Sequence, residues 1–127
     1  MARIDINKFV VYLRANVLGQ FGERKCARQV RLALESSGAI TTGHPVDAKD
    51  WGPTLLRIGF HQIEVSNVDS FIPLKGDVAV IQATSKSTSG HIQGHDGKQW
   101  ISDFIQRGFW PGEIYRKEKP HADVYRP

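Results

Sequence analysis

Cysteine is nearly missing from this sequence: Cys26 is the only one among 127 residues. A single thiol cannot close an internal disulfide, so the fold does not rely on an oxidising compartment. No apolar run approaches the roughly 18 residues that a membrane span needs, and membrane insertion is not expected. The start, Met-Ala-Arg-Ile-Asp-Ile-Asn-Lys, lacks the basic and apolar regions of a cleaved leader. The expectation is a product made in the cytoplasm without a signal peptide. Linker-like and low-complexity tracts are also missing, which leaves one domain over 1–127.

What is present is basic. Seventeen Lys and Arg against 13 Asp and Glu give a net charge of +4 and favour an anionic partner. Basic residues concentrate in 24–31 and 116–119, and neither stretch interleaves with aromatics as nucleic-acid surfaces often do. A nucleic-acid partner is therefore not expected.

Ile6, Phe9, Val10, Leu13 and Val17 recur at helical spacing behind Asp5, a good N-cap, which predicts an amphipathic helix over 6–18. A second helix is predicted from about Lys25 to Ser36, with Cys26, Val30, Ala33 and Leu34 inward, and Ser36-Ser37-Gly38 stopping it. Asp47 opens a third helical stretch, kinked or split at Gly52-Pro53. Phe60 to Val65 suits a strand, and Val78-Ala79-Val80-Ile81 one buried on both faces. His91-Ile92-Gln93 and 99–103 flank a hairpin turn at Gly94-His95-Asp96-Gly97-Lys98. Glu113-Ile114-Tyr115-Arg116 and Asp123-Val124-Tyr125-Arg126 read as late strands. Helices first and antiparallel strands afterwards imply an α+β fold with the N-terminal helices packed on one side of an antiparallel sheet.

Cys26 falls in the first turn of the second helix, with Arg24, Lys25, Arg28 and Arg31 around it. A helix N-terminus and nearby cations both favour the reactive thiolate. A nucleophilic cysteine needs a base and a group that orients the base. His91, at the start of the hairpin's first strand, and Asp103, at the end of its second, are the candidates. With a three-residue loop, Gly94 pairs with Lys98, His91 faces Ile101, and Asp103 is a diagonal same-face neighbour of His91. With a two-residue loop His91 pairs with Ser102 and Asp103 points away; the three-residue register is expected. The Cys26 backbone N–H and one further, unassigned donor would hold an oxyanion.

Other chemistries fit poorly. His91 and His95 are four apart, but three glycines in 90–97 argue against the helix that would converge them on a metal, so no metal site is expected. Gly94-His95-Asp96-Gly97-Lys98 lacks the glycine spacing and the following Ser or Thr of a phosphate loop. No cofactor is expected.

Gly22-Glu23-Arg24-Lys25-Cys26-Ala27-Arg28-Gln29-Val30-Arg31, then Gly76-Asp77-Val78-Ala79-Val80, then Gly90-His91-Ile92 and Trp100-Ile101-Ser102-Asp103-Phe104 resemble the NlpC-type and CHAP peptidoglycan cysteine amidases. Small size, basic charge and the lack of a leader are similar to the third family of type VI secretion amidase effectors. The resemblance covers about 20–105; Gln93-Gly94-His95 is more polar than the strand that usually follows the family's histidine. It implies a papain-like fold with Cys26, His91 and Asp103 as the catalytic residues. It further implies an antibacterial toxin reaching a rival cell's periplasm through the secretion apparatus and restrained by a cognate immunity protein. The implied reaction is hydrolysis of peptidoglycan peptide stems at the D,D cross-link between meso-diaminopimelate and D-alanine, or alternatively at the D-glutamate to diaminopimelate bond. Two rivals remain: a basic binding module for nucleic acid or cell-wall polymer in which Cys26 is core, and a cysteine hydrolase acting on another amide.

Overall fold

The computed structural model describes residues 4–19, 22 and 24–127. Met1, Ala2, Arg3, Gln20, Phe21 and Glu23 lie outside the described residues, and with them the reading of the chain start and one position of the cysteine motif.

Helix α1 (Ile6–Ala15) starts where the Asp5 carboxylate accepts the Lys8 N–H at 3.1 Å, and it buries Phe9, Val10 and Leu13 as one stripe. It stops earlier than the pattern suggests, at Asn16, whose backbone leaves helical angles (φ −118°, ψ 22°) and whose side-chain amide donates to the Tyr12 carbonyl. Helix α2 (Cys26–Ser36) lies against it, burying Gln29, Val30, Ala33 and Leu34, and ends before Gly38 at φ 106°. A single 3-10 turn (Ala48–Asp50) and α3 (Gly52–Arg57) follow, so Gly52-Pro53 splits the third helical stretch, with Trp51 buried at the break.

The sheet contains β1 (His61–Ile63), β2 (Val78–Ile81), β3 (His91–His95), β4 (Trp100–Ile101) and β5 (Ala122–Arg126) in the order β1-β5-β2-β3-β4, every pairing antiparallel. Alternation along the strands divides its two faces. Val78, Val80, Ile92, Ile101 and Tyr125 join the core under α1, α2 and α3. Ala79, Ile81, Trp100 and Val124 join a second cluster with Phe109, Trp110 and Tyr115. Gly94 lets α1 lie close on β3, since a Cβ there would sit 2.7 Å from Phe9 Cζ and 2.8 Å from Leu13 Cδ1. At the Gly76-Asp77 turn the buried Asp77 carboxylate takes both Nε and an Nη of Arg126 at 2.8 Å, tying the start of β2 to the last strand.

Three expectations are corrected. Glu113–Arg116 is not a strand: it begins helix α4 (Glu113–Glu118), closed by a left-handed Lys119 and supported by a Glu113–Lys117 pair at 3.1 Å. Two apolar residues in a tetrapeptide fit either period, and the helix-forming Glu, Arg and Lys around them decide it. The helices do not all lie on one side, because α4 and the segment before it cover the second face. The hairpin has neither register considered: Gly94 pairs with Ile101 and His95 with Trp100. A four-residue connection makes the turn, because Asp96 Oδ1 accepts the N–H groups of Lys98 and Gln99 at 2.8 and 2.7 Å.

Candidate active site

The short β4 shapes the site. It pairs only with Gly94 and His95, so the outer edge of β3 at His91 and Ile92 is left to other groups. The N-terminus of α2 reaches that edge, where the Ile92 N–H acts on the Cys26 thiol and favours its charged form. Gly90, at φ 71°, brings the chain into β3: a Cβ there would stand 2.4 Å from the Ile81 carbonyl oxygen. The residue that must follow this glycine turn is His91.

His91 is buried on the second face of the sheet. Its Nε2 lies 2.9 Å from Gln106 Oε1, and its ring packs against Tyr115 with centroids 5.9 Å apart. The Gln106 amide is oriented by what lies behind it. The Phe109 carbonyl can only accept, so Gln93 Nε2 donates to it at 2.8 Å, and Gln93 Oε1 in turn accepts Gln106 Nε2 at 2.8 Å. Gln106 Nε2 also reaches the Gly108 and Phe109 carbonyls at 3.2 Å. Gln106 therefore presents its oxygen to His91, which must carry its proton on Nε2 and keep a lone pair on Nδ1.

Asp103 is brought to the same place in a different relation. The chain doubles back after β4, with Ser102 N–H bonding the Phe104 carbonyl, so Asp103 does not continue the strand. Its Oδ2 accepts the Lys25 N–H at 3.1 Å, capping an α2 terminus whose own N-cap side chain makes no bond. Its carbonyl accepts the Leu18 N–H at 2.8 Å, so one residue holds both ends of the α1–α2 connection. On His91 and Cys26 the carboxylate acts through its charge.

The electrostatics differ from the expected activated thiolate. Burial pushes the Cys26 thiol above its ordinary pKa; the Ile92 N–H opposes this, the Asp103 charge adds to it, and the N–H groups of Ala27 and Cys26 itself oppose it. Arg24, Lys25 and Arg28 are exposed and do not act on the sulfur, and Arg31 pairs with Glu35 at 3.0 Å. Burial also lowers His91 from 6.5 to about 4, against the opposing effects of Gln106, Asp103 and Gln93. At neutral pH the resting thiol and the resting imidazole are thus both uncharged. Such a pair can transfer a proton as a substrate binds, with no net charge buried beforehand.

The same fold occurs in a solved structure, the type VI native effector–immunity complex Tae3-Tai3 from Ralstonia pickettii. The match has 40% sequence identity and a TM-score of 0.84 over 96% of this chain and 98% of that one. The chain belongs to the Tae3 family of type VI effectors. The selenomethionine form of the Ralstonia complex matches at 40% identity and a TM-score of 0.83, over 95% of this chain and all of that one. No protein-family model and no curated protein matches the chain. Likeness along nearly the whole Tae3 chain means that the segment after β4, which carries Gln106 and Tyr115, belongs to the shared fold as much as the cysteine helix does.

Gln106 and Gln93 are the site residues that the sequence pattern left out. One signal pointed to them: Gln93 is a polar residue at a fully buried strand position, and a buried amide needs partners. Among the described residues no group of three or more His, Cys, Asp or Glu is arranged to hold a metal ion, and no helix is long and apolar enough to cross a membrane.

Proposed function

We propose that this Tae3 family member is a papain-like peptidoglycan cysteine amidase of the NlpC and CHAP type, the whole chain acting as one catalytic domain. The observation that carries this reading is Cys26 at the head of α2, its thiol acted on by the N–H of Ile92, the residue that follows a His91 held by Gln106.

In the proposed reaction Cys26 Sγ attacks the amide carbonyl carbon while His91 Nδ1 takes the thiol proton. The carbonyl π electrons move to oxygen, where the Cys26 N–H and a further donor stabilise them. Collapse breaks the C–N bond, and His91 hands its proton to the leaving amine. Water, deprotonated by His91, then hydrolyses the thioester and restores the thiol. Gln106 takes the orienting role that the sequence reading gave to Asp103, and Asp103 holds the cysteine loop. The proposed scissile bond is the D,D cross-link between meso-diaminopimelate and D-alanine. Delivery by a type VI secretion apparatus to a target cell's periplasm, and inhibition by a cognate immunity protein, are part of the same proposal, supported by the Ralstonia relative being a type VI effector in complex with its immunity protein.

The test is mass spectrometry of muropeptides after purified Gram-negative sacculi are incubated with wild-type protein and with Cys26→Ala. Conversion of cross-linked dimers to monomers by the wild type alone supports the reading. Loss of the stem after D-glutamate keeps the amidase and changes the bond. Intact sacculi in both samples overturn it in favour of a binding module or another amide.

A further inference from the structure

Two cavities, of about 810 and 550 Å³, share three lining residues: Arg107, Trp110 and Arg116. Neither cavity is lined by Cys26 or His91, yet both reach the reacting centre through the chain. Arg107 directly follows Gln106, which bonds His91, and Arg116 directly follows Tyr115, which packs on the His91 ring. Both arginines are exposed, and each is one residue along the chain from a group that touches the imidazole.

Their charge is uncompensated. Most acids near this surface are already taken: Glu113, lining the larger cavity, pairs with Lys117 at 3.1 Å. Asp69, lining the smaller one, accepts from Lys119 Nζ at 3.1 Å and from the Trp110 indole N–H at 2.9 Å. Among the described residues neither Arg107 nor Arg116 has an ion-pair partner. A guanidinium offers a planar fork that matches a carboxylate in bidentate fashion. Phe104, Ile105 and Trp110 line the larger cavity together with the two arginines.

We propose that Arg107 and Arg116 form a subsite for a free carboxylate of the peptide substrate, holding the chain that enters the Cys26–His91 centre. This deepens the hydrolase reading and rests on it for the identity of the ligand. Peptides whose carboxylates are amidated are poor ligands, and binding weakens with salt as the exposed guanidiniums are screened.

The test measures binding, by tryptophan fluorescence and calorimetry, of a disaccharide-tetrapeptide with free carboxylates and of the same compound with its carboxylates amidated. The protein is Cys26→Ala, alone and combined with Arg107→Gln, Arg116→Gln or Arg107→Lys. The expected result is about 10- to 100-fold tighter binding of the free form, the size of one or two charge-assisted hydrogen bonds. Each Gln variant should remove most of that preference, and Arg107→Lys, which keeps charge without the fork, should retain part of it. Equal binding of the two compounds, or a preference that survives both Gln variants, overturns the proposal. Sacculi digestion by wild type runs in parallel: cleavage without a carboxylate preference sinks the subsite alone, and preference without cleavage sinks the hydrolase reading alone.

Discussion

The two faces of the sheet are built on opposite plans. Under α1, α2 and α3 the contacts are almost wholly apolar, with Phe9, Val30, Leu34, Leu55, Val78 and Ile92 all inaccessible to water. On the other face buried amides and a buried imidazole lie among aromatic rings, joined by the chain His91–Gln106–Gln93–Phe109. Apolar burial is non-directional and tolerates small shifts, whereas a buried polar chain needs every partner in place. The first face therefore carries stability, and the second carries orientation. Cys26 joins them: its helix belongs to the apolar side, and its sulfur meets the strand that bears His91.

The comparison breaks most visibly on the apolar side. Phe9→Ala should cost about 3–5 kcal/mol in denaturant unfolding, the range for emptying a fully buried aromatic site. Activity per folded molecule should be nearly unchanged.

Acid should reveal the polar face. His91 is held at about 4 in the folded protein against 6.5 when unfolded, so between those values the unfolded chain binds the proton and the native one does not. Stability should fall as pH drops through that window, by up to about 3 kcal/mol at its lower end. His95, lowered by partial burial, adds to the same slope. Urea titrations of wild type and His91→Gln from pH 7 to 4 isolate the His91 part, which should vanish in the variant.

Gln106→Leu should lower kcat by about 100-fold with a much smaller effect on KM, because the imidazole loses its orienting acceptor. A matching loss for Asp103→Leu with Gln106 intact would move the orienting role back to Asp103. Gly94→Ala should cost about 1–3 kcal/mol, as α1 must withdraw from β3 to admit the methyl group; thermal unfolding measures it. The smallest effect is expected for Asp103→Asn, which keeps an acceptor for the Lys25 N–H and removes the charge that raises the thiol pKa. Its iodoacetamide reaction at pH 7 should be faster by only about 2- to 5-fold, since the Asp103 charge acts on the thiol less than burial and the Ile92 N–H do.

Much of this was legible in the chain. The stripe of α1 behind Asp5, Cys26 at the head of a helix, the doubly buried run at β2 and the Gly90-His91 step follow from periodicity, caps and positive-φ turns, all of which act between near neighbours. The register of the β3–β4 hairpin was not legible, because it depends on the Asp96 side chain joining the turn. Nor was α4, where two apolar residues suit either period.

The sequence by itself determined the candidate groups, their order and most of the local elements that hold them: one thiol, a histidine behind a glycine turn, and helical segments ahead of the first strands. Only the tertiary structure decided which groups those atoms face. Gln106 reaches His91 because the chain reverses after β4, Asp103 turns to the cysteine helix, and burial, not the flanking arginines, governs the thiol. Periodicity records which side of an element is dry. It carries no information about which distant polar group arrives there, because that choice is made by long-range packing.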